Sequence, residues 1–140
     1  MFEKILLAVD GSEHSLHAAR TAANLARAIS STEIRIVVVF DSVPPYLGEP
    51  NLQQAINARM ETARVVMEKA IEAVGDLSSE IHTEFIEGSP AEAIIEVATT
   101  RKSDVIVMGS RGHGTLVGLL LGSTSQKVVA HAPCPVLIVR

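Results

Sequence analysis

The residues with the plainest chemical potential lie in the last third of the chain. Glycines stand at 109, 112, 114, 118 and 122, and Gly122 runs directly into Ser123-Thr124-Ser125. Glycine lacks a Cβ, so its N–H can turn toward a ligand and a phosphate can approach without a clash. A helix opening near Ser123 adds unpaired N–H donors and a partial positive charge. The hydroxyls of Ser123 and Ser125 are further donors. Donors gathered in this way suit an anion, above all a phosphate. The competing explanation is that the glycines only serve tight turns, and the residue types leave it open.

Neither standard glycine fingerprint is present. No G-x-x-x-x-G-K-[ST] occurs, which excludes a P-loop site, and no G-x-G-x-x-G follows the first apolar run, which weakens dinucleotide binding. Other polar side chains offer less. His14 and His17 are spaced to share one helix face, but no third metal ligand accompanies them, so a solvated face is expected. His113 is either a phosphate contact or a surface-loop residue. His131 near a helix end is accounted for by the helix dipole. Cys134 is the sole cysteine, so no internal disulfide can form, and small apolar filler is its expected role.

The elements that must position the glycine-rich segment are legible from periodicity. Solid apolar runs at Ile5–Val9, Ile36–Phe40, Val105–Met108 and Val136–Val139 read as strands buried on both faces. Ile81–Ile86 alternates and reads as a half-exposed edge strand. Between the first two runs, Leu16, Ala19, Ala23, Ala26 and Ile29 mark a helix with Ser12 as its N-cap. Leu52 to Val74 marks a second helix, stopped at Gly75. Ser89-Pro90-Ala91-Glu92 opens a third, and Ser123-Thr124-Ser125-Gln126 repeats the capping pattern before a short fourth. Strand and helix therefore alternate throughout, which implies a parallel sheet with helices on both faces and one domain over residues 1–140. Ligands of such sheets bind beyond the strands' C-terminal ends. Asp10-Gly11-Ser12 and the glycine-rich segment both lie there. The irregular stretch Asp41–Pro50 reads as a surface loop that can border a ligand.

Composition limits the partners. With 140 residues and 47% hydrophobic content the chain can bury a sizeable core. A net charge of −4, only 3% aromatics and no Trp argue against nucleic-acid binding. The apolar run after Met1 is too short for a signal peptide or a membrane span, so cytoplasmic residence without membrane insertion is expected.

A resemblance sharpens these expectations. Gly109-x-x-Gly112, followed after nine residues by Gly122-Ser123, is similar to the nucleotide-binding signature of the universal stress protein family. The opening Ile5-Leu6-Leu7-Ala8-Val9-Asp10-Gly11-Ser12 and the ending Ala132-Pro133-Cys134-Pro135-Val136-Leu137-Ile138-Val139 resemble that family as well. The resemblance covers essentially the whole chain and is to the single-domain, ATP-binding type. It implies a three-layer α/β sandwich of the adenine nucleotide alpha hydrolase-like kind, with five parallel strands in the order 3-2-1-4-5.

By the same resemblance, Asp10 and the backbone around Val9 and Val39 face adenine or ribose. Met108 and Gly109 line the ribose and α-phosphate side, with Arg111 the nearby permanent cation. Gly112, Gly122, Ser123, Thr124 and Ser125 hold the phosphates. Mg2+ travels on those phosphates, aided by Asp10. Residues 113–121 hold no Lys or Arg, so AMP or ADP competes with ATP. A homodimer through the last strand, Pro135 to Val139, is also implied, and a further protein partner is compatible with it. The expected role is regulatory or stress-responsive, with slow ATP hydrolysis at most, because efficient phosphoryl transfer needs a positioned base and a cation clamp. A nucleotide-transferring or adenylate-forming enzyme, and an interaction module with a structural glycine loop, are the alternatives.

Overall fold

The computed structural model describes residues 2–111 and 121–140. Along it run β1 (Lys4–Val9), α1 (Glu13–Ile29), β2 (Glu33–Phe40), α2 (Asn51–Val74), β3 (Glu80–Glu87), α3 (Pro90–Thr100), β4 (Val105–Gly109), α4 (Ser123–His131) and β5 (Val136–Val139). A short 3-10 turn, Pro45–Leu47, sits in the 41–50 segment. The strands form one parallel sheet in the order β3-β2-β1-β4-β5. β1 is central, with Ile5 opposite Ile34 of β2 on one side and Val105 of β4 on the other. The connections leaving β1 and β4 diverge there, which is the switch point of the sheet.

Alternation of side chains along a strand makes each apolar run serve two cores. Ile5, Leu7 and Val9, with Ile34, Ile36, Val38, Val105 and Val107, meet an alanine stripe of α1 and Ala63, Met67, Ala70 and Val74 of α2. Leu6, Ala8, Val37, Ile106 and Met108 face the other way, onto Ala91, Ile94, Val97 and Ala98 of α3 and Val128 of α4. The α1 stripe of Ala18, Ala19, Ala22, Ala23 and Ala26 is nearly all methyl groups, which lets that helix lie close to the sheet.

Several expectations meet the structure with differences. β3 is an edge strand, as its alternation predicts. β5 is an edge too and is not covered on both faces: Leu137 is exposed and its neighbours are only partly buried. In α1 the buried positions shift toward Ser15, Ala18 and Ala22, and Ile29 is left exposed, because the close-packed stripe follows the small residues rather than the large ones. Gly75 ends α2 with φ +71, a conformation that favours glycine. Ser89 stands at the N-cap of α3 without a side-chain capping bond, and Pro90 occupies the first turn, where no N–H is needed.

Candidate functional site

β1, β2 and β4 end on one side of the sheet, where α3 and α4 begin. Their last residues wall a cleft. Ala8, Val9 and Asp10 enter from the β1 end, Val37 and Val39 from β2, and Met108, Gly109 and Arg111 from the β4 end. Ser15 of α1, Pro90 and Ile94 of α3, and Gly122, Ser123, Thr124 and Ser125 at the start of α4 complete it. Gly112 lies outside the described residues, as do His113, Gly114 and Gly118. The remaining expected site residues all stand in this wall.

The cleft has an apolar half and a polar half. Ala8, Val37, Ile94 and Met108 belong to the second core, and Val39 packs against it, so the floor is an opening in that core rather than a separate patch. The sequence does not single out Ala8, Val37 or Ile94. A signal existed: side chains two apart on a strand share a face, which pairs Val37 with Val39, and Ile94 lies one helical turn beyond Pro90.

The polar half is the first turn of α4. Gly122, not Ser123, is the N-cap, with φ −71 and ψ 169 and no side-chain capping bond. The first intrahelical bond runs from Gln126 N–H to the Gly122 carbonyl at 3.0 Å. The N–H groups of Ser123, Thr124 and Ser125 therefore precede any intrahelical partner. α1 differs, for Ser12 Oγ accepts the Ser15 N–H at 3.2 Å and caps that helix with the protein's own atoms. The shift of the α4 cap by one residue has a tertiary cause. The Gly122 N–H donates to the Ser110 carbonyl at 2.7 Å, which fixes where the helix starts.

Ser125 offers the cleft its backbone rather than its side chain. Its hydroxyl donates to the Ser110 carbonyl at 2.8 Å and is only 2% exposed. The Ser123 side chain is exposed. Gly109 has a packing reason as well as a place in the wall. A Cβ there would lie 2.8 Å from the carbonyl carbon and Cβ of His14 and 3.0 Å from the Ser15 nitrogen.

Asp10 is tied into its own loop. Its Oδ1 accepts the Ser12 N–H at 2.9 Å, and its N–H donates to Ser15 Oγ at 3.3 Å. Gly11 takes φ +88, which turns the chain from β1 into α1. None of residues 41–50 is in this wall, but Asp41 lines an adjoining hollow that shares Asp10 and Val39 with the cleft. His14 corrects the expectation of a solvated face: it is partly buried, with Nδ1 2.9 Å from Ser110 Oγ. His17 is exposed, and its Nδ1 lies 3.1 Å from the Arg140 carbonyl.

A sequence profile described as the Universal stress protein family matches residues 1–140. This chain belongs to the universal stress protein family. A universal stress protein of Thermus aquaticus is 46% identical over 140 residues, covering 100% of both chains. The solved universal stress protein UspA of Lactobacillus plantarum has a TM-score of 0.86 at 29% identity, covering 99% of this chain and 98% of that one. A universal stress protein solved in complex with cAMP has a TM-score of 0.71 at 27% identity, covering 99% of this chain and 97% of that one.

Two features of this family member lie away from the cleft. Burial, helped by the nearby Asp104 carboxylate, holds the Cys134 thiol above its ordinary pKa, in keeping with apolar filler. Among the described residues no helix is long and apolar enough to cross a membrane.

Proposed function

We propose that this protein binds an adenine nucleotide, ATP with AMP or ADP as competitors, across the cleft at the switch point, and acts as a regulatory or stress-response nucleotide binder. The observation that carries the reading is the uncapped start of α4. Three successive amides, at Ser123, Thr124 and Ser125, meet the cleft with no side chain of the N-cap to satisfy them. Such a turn suits phosphate oxygens. The apolar half, with Val39, Met108 and Ile94, suits a flat base, and Asp10 at the rim suits ribose hydroxyls. The related protein solved with cAMP supports an adenine nucleotide as the ligand class.

Mg2+ accompanies the phosphates, and the Asp10 carboxylate at the rim is a hard oxygen donor of the kind this ion takes. Arg111 is the cationic side chain of the wall. Among the described residues the wall holds, beside Asp10, no second carboxylate and no lysine, which favours slow hydrolysis and binding over turnover.

Isothermal titration with ATP, ADP, AMP and cAMP, with and without Mg2+, tests the reading. Saturable one-site binding is expected. Gly122→Val is expected to abolish ATP binding and keep the fold, since φ −71 and ψ 169 are open to any residue. Unchanged affinity in that variant places the phosphates elsewhere. Single-turnover assays with labelled ATP separate this reading from nucleotidyl transfer, which would leave a labelled acceptor.

A further inference from the structure

We infer that His14 is a positioning residue for the phosphate end of the cleft: by its bond to the Ser110 hydroxyl it holds Ser110, whose carbonyl takes bonds from Gly122 and Ser125, in the geometry that aims the α4 amides. The inference rests on the nucleotide reading above. His14 does not itself line the cleft, so it acts through Ser110.

Ser110 is 2% exposed, and each of its polar groups is held by a different element. Its N–H donates to the Val139 carbonyl of β5 at 2.7 Å. Its carbonyl accepts both the Gly122 N–H at 2.7 Å and the Ser125 hydroxyl at 2.8 Å. Its hydroxyl meets His14 Nδ1 at 2.9 Å. One buried residue thus joins α1, β5, the α4 N-cap and the α4 first turn. Buried hydroxyls need a partner, because water cannot replace one that is lost.

The second observation is steric. The absent Cβ of Gly109 leaves the His14 backbone pressed on the end of β4. The imidazole therefore bonds Ser110 from a backbone position that cannot retreat without opening the β4–α1 contact. A histidine here reaches across two elements that the main chain alone only stacks. His17, three residues on, is exposed and bonds Arg140, which makes it a control on the same helix.

The test is calorimetry with adenosine, AMP and ATP on the wild type, His14→Ala, His14→Asn, Ser110→Ala and His17→Ala. ATP affinity is expected to fall about tenfold in His14→Ala, on the scale of one amide–phosphate hydrogen bond misaimed at the start of α4. Adenosine affinity is expected to stay at the wild-type value, since the apolar half is untouched. His14→Asn places an amide where Nδ1 stood and is expected to restore ATP binding. Ser110→Ala removes the same bond from the other side and is expected to reproduce the split, and His17→Ala to change nothing. Equal losses for adenosine and ATP, or none for either, overturn the inference. A wild type that binds none of the three ligands overturns the nucleotide reading and this inference with it. A wild type that binds ATP, beside a His14→Ala variant that binds it equally well, overturns this inference alone.

Discussion

A Cβ on Gly109 would stand 2.8 Å from the Cβ of His14 and equally close to its carbonyl carbon. The first turn of α1 and the end of β4 are therefore in backbone contact, and that contact brings Asp10, Ser15 and Gly109 into one wall. Gly109→Ala must push α1 outward or bend β4. The variant is expected to lose about 1–3 kcal/mol of stability, the usual range for overpacking. Urea unfolding reads this directly, and a midpoint equal to wild type would show that the contact yields freely.

Ser125→Ala separates hydroxyl from amide at the start of α4. The Ser125 hydroxyl is buried against the Ser110 carbonyl, while its N–H lies in the uncapped first turn to which the proposed function assigns the phosphates. Removal is expected to cost about 1 kcal/mol of stability, because the Ser110 carbonyl keeps its bond from Gly122. ATP affinity is expected to fall far less than in Gly122→Val. Full loss of binding at unchanged stability would make the hydroxyl itself a phosphate donor.

β5 is a short edge strand with Leu137 38% exposed. An apolar edge invites pairing with another strand. We propose a homodimer formed through Pro135 to Val139 of two copies. Sedimentation at micromolar concentration is expected to report a dimer, and Leu137→Lys a monomer that still binds nucleotide. A monomeric wild type sinks this proposal.

Cys134 has its thiol pKa raised, first by burial and then by the Asp104 charge. A raised value in the folded state means that folding favours the protonated thiol. Stability from this group is thus complete below the thiol's ordinary pKa and declines as pH rises above it. Iodoacetamide alkylation of the native protein is expected to reach its half-maximal rate at higher pH than a short cysteine peptide run beside it. Cys134→Ser is expected to flatten the alkaline decline in stability. An alkylation midpoint at or below that of the peptide would refute the burial.

The order and kind of the elements were already written in local residue patterns. The runs around Ile5, Ile36 and Val105 are too short and too apolar for anything but covered strands, the run around Val136 marks a strand whose cover it overstates, and the alanines of α1 repeat at helical spacing. The alternation from Ile81 to Ile86 marked an edge before any neighbour was known. Glycine spacing from Gly109 to Gly122, with the flanking motifs, was specific enough to indicate the family. These features are legible because a strand or a helix shows its period over a few consecutive residues.

What stayed hidden depends on residues far apart in the chain. The α4 cap falls on Gly122 because the Ser110 carbonyl holds its N–H, and a local capping pattern contains no such bond. Ser125 reads as a free hydroxyl in the sequence, yet the same carbonyl takes its proton. His14 reads as a solvated helix residue until β4 and Ser110 are brought against it. Val37 and Ile94 become cleft walls only when the second core opens at the strand ends. Local sequence can state which backbone a segment prefers. Which donors remain unpaired is settled only when distant segments meet and compete for the same acceptors.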